Sequence, residues 1–169
     1  MTNNSQTRNE YETIDTLFRR NLWANMCLFA VCAGLSDEQS NSSITGTYGS
    51  IRDTLQHITI AEHSYLHRIT TGRPFRRPEG APPLTMAEMQ DSIRLSGEGF
   101  IVAAPQIQAR DSVEIDWDGM LRIVPSAIIL TQAINHATEH RVQIMAMLMQ
   151  LGIEPPDIDS WSYFAKHDK

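Results

Sequence analysis

Residues 125–152, PSAIILTQAINHATEHRVQIMAMLMQLG, carry one uninterrupted helical signal. Leu130, Ala133, Ala137, His140, Ile144, Leu148 and Leu151 recur at spacings of three and four, the period that lays side chains along one face of an α-helix. Pro125, with its fixed φ, suits the first helical turn, and Gly152 supplies a C-terminal cap. Two histidines, His136 and His140, lie beside and within the apolar seam, one turn apart. Such a stripe must be buried against other elements, so the rest of the chain has to provide them.

Three further stretches do so. After a polar opening over residues 1–9, Tyr11, Ile14, Phe18, Leu22, Met26, Phe29 and Ala33 predict a first helix from about Glu10 to Gly34. The Ser-, Asn-, Thr- and Gly-rich run 36–49 breaks the pattern, and Ser50 with Asp53 forms a capping box. The second helix begins there, its seam being Ile51, Leu55, Ile58, Glu62, Tyr65 and Ile69, with one acid that needs a partner. Residues 72–83 hold four prolines and two glycines and form a long connection, able to span a bundle at about 3 Å per residue. This length permits the second and third helices to run parallel. Thr85 with Glu88 caps the third helix and Leu84 with Met89 staples it; it continues through Ile93 and Phe100 towards Ile107, with Pro105 kinking or ending it.

Between Asp111 and Val124 the period changes to two: Val113, Ile115 and Trp117 alternate with polar residues, and Asp118-Gly119 is a hairpin turn signal. The tail, residues 153–169, has a stop at Pro155-Pro156 and a short aromatic turn of Trp161, Tyr163 and Phe164 that can dock on the helices. The expected fold is all-α: a single domain over residues 1–169, a four-helix bundle with a small β-hairpin between its third and fourth helices.

Composition narrows the function classes. The 169 residues include 14 basic and 20 acidic side chains, a net charge of −6, with no Lys/Arg run longer than two. That balance lacks the footprint of a nucleic-acid or anionic-membrane binder. No apolar run is long enough to span a membrane and the N-terminus has no signal-peptide core, so a cytoplasmic location is expected. The two cysteines, Cys27 and Cys32, lie roughly 140° apart around a helix and cannot bridge locally; both read as core or groove residues.

The six histidines sort by helix face. His63 and His67 fall roughly 140° and 180° from Ile58, on the face opposite the seam of the second helix, and are expected in solvent. His136 and His140 point toward neighbouring helices, where an imidazole needs partners. His57, roughly 100° from Ile58, borders the apolar face among the small residues Ser50, Thr54, Ala61 and Ser64. His57, His136 and His140 together are a candidate divalent-metal site, suited to zinc or nickel, with a coordination position left for water or substrate. Interior histidines satisfied by hydrogen bonds remain the alternative. Glu62 and Arg141, each roughly 40° from the centre of its stripe, read as a buried ion pair joining the second and fourth helices. Met145, Met147 and Met149 read as packing or as the wall of an apolar pocket.

Four segments resemble the DinB/YfiT-like metalloenzyme family: NLWANMCLFAVCAGLS (21–36), GSIRDTLQHITIAEHSYLHRI (49–69), INHATEHRVQIMAMLMQLG (134–152) and EPPDIDSWSY (154–163). TLQH together with HATEHR is the most specific part, since members similarly carry one histidine on the second helix and an HxxxH pair on the fourth. The resemblance implies that His57, His136 and His140 are the metal ligands. It also implies an up-down-down-up bundle, a homodimer and, as in some members, transfer chemistry with low-molecular-weight thiols. Val142 departs from the glycine that often follows the HR pair, which bears on local packing or pocket shape.

The expected function is therefore a metal-dependent enzyme, a thiol S-transferase or hydrolase, acting on a small molecule with a low-molecular-weight thiol or metal-bound water as nucleophile. The alternative is a non-catalytic metal or small-ligand binding stress-response protein acting as a dimer. No general base stands out; Glu62, Glu139 and Asp53 are candidates by proximity in sequence alone.

Overall fold

A computed structural model describes the backbone of residues 4–117 and 119–167 and the side chains of residues 13–117 and 119–167. Among them the chain is mostly helical, with one small antiparallel sheet. In order come α1 (Asn4–Cys32), α2 (Asp37–Ser40), α3 (Ile51–Thr71), α4 (Met86–Ala103), a 3-10 turn (Ala104–Gln106), β1 (Ser112–Trp117), β2 (Met120–Pro125), α5 (Ser126–Gln150) and α6 (Ser160–His167). Tyr11, expected in the first seam, and Asp118 of the hairpin turn lie outside the described side chains.

Local chemistry sets the element ends. Ser50 accepts from the Asp53 backbone N–H while the Asp53 side chain accepts from the Ser50 N–H, so α3 starts on the expected capping box, and it ends at Gly72 in the left-handed conformation (φ 70°). Thr85 and Glu88 cap α4 in the same way. Two boundaries differ from expectation. The first helix starts at Asn4 rather than near Glu10, because an established helix adds residues at its end more easily than it nucleates and needs no apolar face to do so. Pro125 precedes the last long helix rather than opening it: its ψ of 133° is extended and it pairs with Ser112 across the sheet. The short α2, with its own Ser36–Gln39 capping box, was not legible within the polar run.

The four long helices pack in a closed circuit, α1 on α4 and α5, and α3 on α4 and α5. Gln56 on α3 accepts from the Leu84 N–H at the entrance to α4, and further along both helices Leu66 lies against Gly99. Gly97 gives α1 the same close approach, since a Cβ there would stand 2.5 Å from Leu22. The core lies in two blocks. One contains Leu28, Phe29, Ile51, Leu55, Ile58, Ile93, Ile144 and Leu148, and the other Phe18, Phe100, Ala104, Leu130 and Ala133. Phe18 and Phe100 stack with centroids 4.9 Å apart.

Between the blocks runs a buried polar layer. Glu62, wholly inaccessible, accepts at Oε1 from the amides of Asn21 (2.9 Å) and Asn25 (2.7 Å). The same two asparagines accept at Oδ1 from Arg141, at 2.8 and 2.6 Å, and the guanidinium also donates to Thr138 Oγ1 at 2.8 Å. The ion pair expected between Glu62 and Arg141 is thus a relay. Asn21 and Asn25 stand one turn apart on α1, and each amide has one group for the carboxylate and one for the guanidinium. Burial pushes the Glu62 carboxyl up, opposed by the two amides and by Arg141, and pulls Arg141 down to about 10.

The tail docks by fewer aromatics than expected. Tyr163 meets the edge of Trp23 at 5.4 Å, whereas Trp161 and Phe164 face solvent. Ile158 is buried and its carbonyl accepts from Arg20 at 2.6 Å, so the segment before α6 contributes as much to the docking as the aromatic turn. In the hairpin, Val113 is buried while Leu121 and Ile123 on β2 are exposed. Among the described residues no helix is long and apolar enough to cross a membrane.

The relay makes a direct prediction. Replacing Asn25 with Ala leaves both Glu62 Oε1 and Arg141 short of one partner in a dry interior, and stability should fall by about 1–3 kcal/mol. An unchanged midpoint in urea unfolding would show that the amide contributes nothing.

Candidate metal centre

Arg141 reaches inward to the polar layer, and this sets the rotation of α5 about its axis. With Arg141 committed to α1, the neighbouring His140 and the preceding-turn His136 are turned toward α3, where His57 stands about one turn before Glu62. The three imidazoles converge: ring centroids are 4.7 Å apart for His57 and His136, 4.8 Å for His57 and His140, and 4.5 Å for His136 and His140. One nitrogen from each lies within 4.8 Å of the others, and His57 Nε2 is 2.8 Å from His136 Nε2. Among the described residues this is the cluster able to hold a metal ion.

Electrostatics keeps these rings ready to donate lone pairs. Burial, with the neighbouring His140 and His57 adding to it, lowers the His136 pKa to about 4. His57 is lowered as well, by burial first and His140 second. Both are therefore neutral near pH 7, the state in which imidazole binds a metal.

Two residues that sequence reasoning did not single out complete the centre. Tyr48, from the connection between α2 and α3, stacks on His57 with centroids 4.0 Å apart and meets His140 in a T-shaped contact at 5.4 Å. Gln143 Oε1 accepts from the Tyr48 backbone N–H at 3.2 Å and lies 3.0 Å from His140 Nδ1. A backbone N–H can only donate, so the Gln143 atom is the carbonyl oxygen, and His140 Nδ1 must carry the proton. The Nε2 lone pair of His140 is thereby left free. Gln143 stands three residues after His140 on one helix face, a spacing that could have revealed it; Tyr48 sits in an irregular stretch that offers no such signal.

The remaining expectations divide. His63 and His67 stay outside the cluster, as expected, but are half-buried rather than solvated. Phe75 from the proline-rich connection covers His63 at 4.1 Å, and His67 Nδ1 lies 2.8 Å from the Arg73 carbonyl. None of the three acids weighed as a base joins the centre: Glu62 belongs to the relay, Asp53 to the α3 cap, and Glu139 is exposed. Cys32 is buried and its thiol is pushed up to about 12, while the half-buried Cys27 is raised as well. Neither is an activated nucleophile. Met147 is buried and accepts from Thr47 Oγ1 at 3.9 Å, whereas Met149 is exposed, so packing describes the first and not the second.

Comparison with known proteins agrees with this architecture. The chain is 25% identical over 166 residues to Protein DinB of Bacillus subtilis (strain 168), covering 90% of this chain and 95% of that protein. A crystal structure of a DinB-like protein from Bacillus cereus ATCC 10987 superposes with a TM-score of 0.59 at 19% identity, over 82% of this chain and 91% of that one, which shows a shared fold. The DinB family model matches residues 1–168. With the match running almost from end to end, the chain belongs to the DinB family.

Proposed function

We propose that the protein is a metal-dependent enzyme in which His57, His136 and His140 hold a divalent ion, zinc or nickel, and a small-molecule substrate undergoes nucleophilic transfer or hydrolysis. The observation that carries this reading is the convergence of three ring nitrogens from two helices, with no carboxylate in the set. The donor set fits such an ion: burial keeps the His57 and His136 rings neutral, and His140 has its tautomer held by Gln143. When bound, the ion supplies an acidified thiol or water at neutral pH.

The chain's own residues do the rest. Gln143 holds the His140 proton at Nδ1, and Tyr48 covers one face of His57 and keeps water from it. The polar layer fixes the rotation of α5 so that both its histidines face α3. The nucleophile is external, a low-molecular-weight thiol or water, because neither cysteine joins the histidine cluster and burial raises both thiols. A single domain over residues 1–169 belongs to the same reading, as do an up-down-down-up bundle, a homodimer and a cytoplasmic location. The bundle topology is supported by the matched order of Gln56 with Leu84 and Leu66 with Gly99 along α3 and α4. One observation favours the second reading, a non-catalytic metal or small-ligand binding stress-response protein acting as a dimer: among the described residues no carboxylate joins the three histidines.

The test begins with metal content. Purified protein loaded with zinc should bind one equivalent, and His140→Ala should abolish stoichiometric binding. An electrophile panel with and without low-molecular-weight thiols then separates the chemistries: thiol-dependent turnover supports transfer, thiol-independent hydrolysis supports water, and binding without turnover supports the second reading.

Gln143→Leu should weaken zinc binding by about 10–100-fold while leaving the fold intact, measured by competition with a chromogenic chelator. The pH response of the metal-free protein has a defined sign. His136 is depressed to about 4 in the folded state against ~6.5 when unfolded, so its contribution to stability is complete above ~6.5 and is lost as pH falls toward about 4. Urea midpoints measured across that window should decline for wild type and flatten for His136→Asn.

A further inference from the structure

A cleft of about 510 Å³ lies between α3, α5 and the hairpin, a volume typical of small-molecule sites. Its walls are apolar and aromatic: Ile115 and Trp117 from β1, Ile128 from α5 and Tyr65 from α3. It adjoins the histidine centre through two of its lining residues. Tyr65 meets the His136 ring at 5.8 Å in an edge-on contact, and Gln132 stands one turn before His136 on α5. Elsewhere around the histidines, Tyr48 stacks on His57 and Gln143 contacts His140. From Ile128 to His136 is eight residues, about 12 Å along the helix.

One cation faces this cleft. Arg68, in the last turn of α3, is half-buried on the lining and has no hydrogen bond or ion pair through its guanidinium among the described residues. The carboxylate on the same lining, Asp116, uses Oδ1 to accept the Gly119 N–H at 2.8 Å and so is engaged in the hairpin turn. A planar guanidinium without such a partner, on a lining that is apolar apart from Asp116, Gln132 and the Tyr65 hydroxyl, matches a carboxylate, which it can hold by two parallel hydrogen bonds.

We propose that this cleft binds the substrate of the adjoining centre, and that the substrate is a carboxylate with an aromatic or branched apolar body, its anionic end on Arg68 and its other end toward His136. The substrate assignment rests on the metal-enzyme reading; the carboxylate site stands on the cleft itself. Arg68 is then a specificity-determining residue that touches neither the histidines nor the polar layer.

The probes are 3-phenylpropanoate and its uncharged analogue 3-phenylpropan-1-ol, titrated calorimetrically into metal-free and zinc-loaded protein. Wild type should bind the carboxylate about tenfold more tightly than the alcohol in both forms, since a charge-assisted pair contributes about that much. Arg68→Met should erase this preference while retaining zinc stoichiometry and thermal midpoint. Ile128→Glu, at an exposed position that does not threaten folding, should weaken the carboxylate more than the alcohol. Equal carboxylate affinity in wild type and Arg68→Met would overturn the proposal. So would binding that disappears with zinc but survives Arg68→Met, which would put the carboxylate on the ion. Absence of binding by both 3-phenylpropanoate and the branched 4-methylpentanoate would overturn it too. If the protein takes up no zinc yet keeps Arg68-dependent binding, the metal reading fails and the carboxylate site stands.

Discussion

The packing of the long helices depends on one buried arrangement, the relay from Glu62 through Asn21 and Asn25 to Arg141. An apolar core tolerates rotation or sliding of its helices at modest cost, because one leucine resembles another. A carboxylate and a guanidinium sealed from water do not tolerate it, since each lost partner costs the full desolvation of a polar or charged group. Two asparagines on α1 therefore lock the registers of α3 and α5 together. Arg141 adjoins His140 in sequence and Glu62 follows His57 by about one turn, so the constraint that aligns the core also aligns the histidines. Structure and site share one positioning device.

This division of labour bears on how the three histidines can lie close together. Three imidazoles at this distance would repel if charged, and burial removes that difficulty by keeping His136 and His57 neutral. The surrounding order is supplied from outside the trio. Gln143 serves two masters, the loop backbone at Tyr48 and the His140 ring, so the irregular segment before α3 is tied to α5 at the same atom that selects the tautomer.

Much of this was legible in the chain because it depends on period and local capping. The seams of α3 and α5, both capping boxes, the hairpin and the three histidines follow from spacings of two, three and four residues. What was not legible depends on contacts between distant segments. Nothing in the neighbourhood of Asn21 or Asn25 announces that both amides will face inward, and spacing alone made Glu62 and Arg141 look like a direct pair. The burial of His63 and His67 failed for a similar reason: helix geometry places them correctly on the outer face, but the proline-rich connection brings Phe75 back over that face. Tyr48 could not be placed because its stretch has no period.

The pairing of the hairpin bears on how the protein behaves at high concentration. A two-stranded sheet consists entirely of edges, and β2 turns Leu121 and Ile123 outward, a combination that invites strand-to-strand aggregation. Each of these apolar residues lies directly opposite an acid on β1, Ile123 beside Glu114 and Leu121 beside Asp116, on the same face of the sheet. Two molecules approaching through that face would bring like charges together. The acids thus act as solubility gatekeepers for a surface that the fold leaves uncovered.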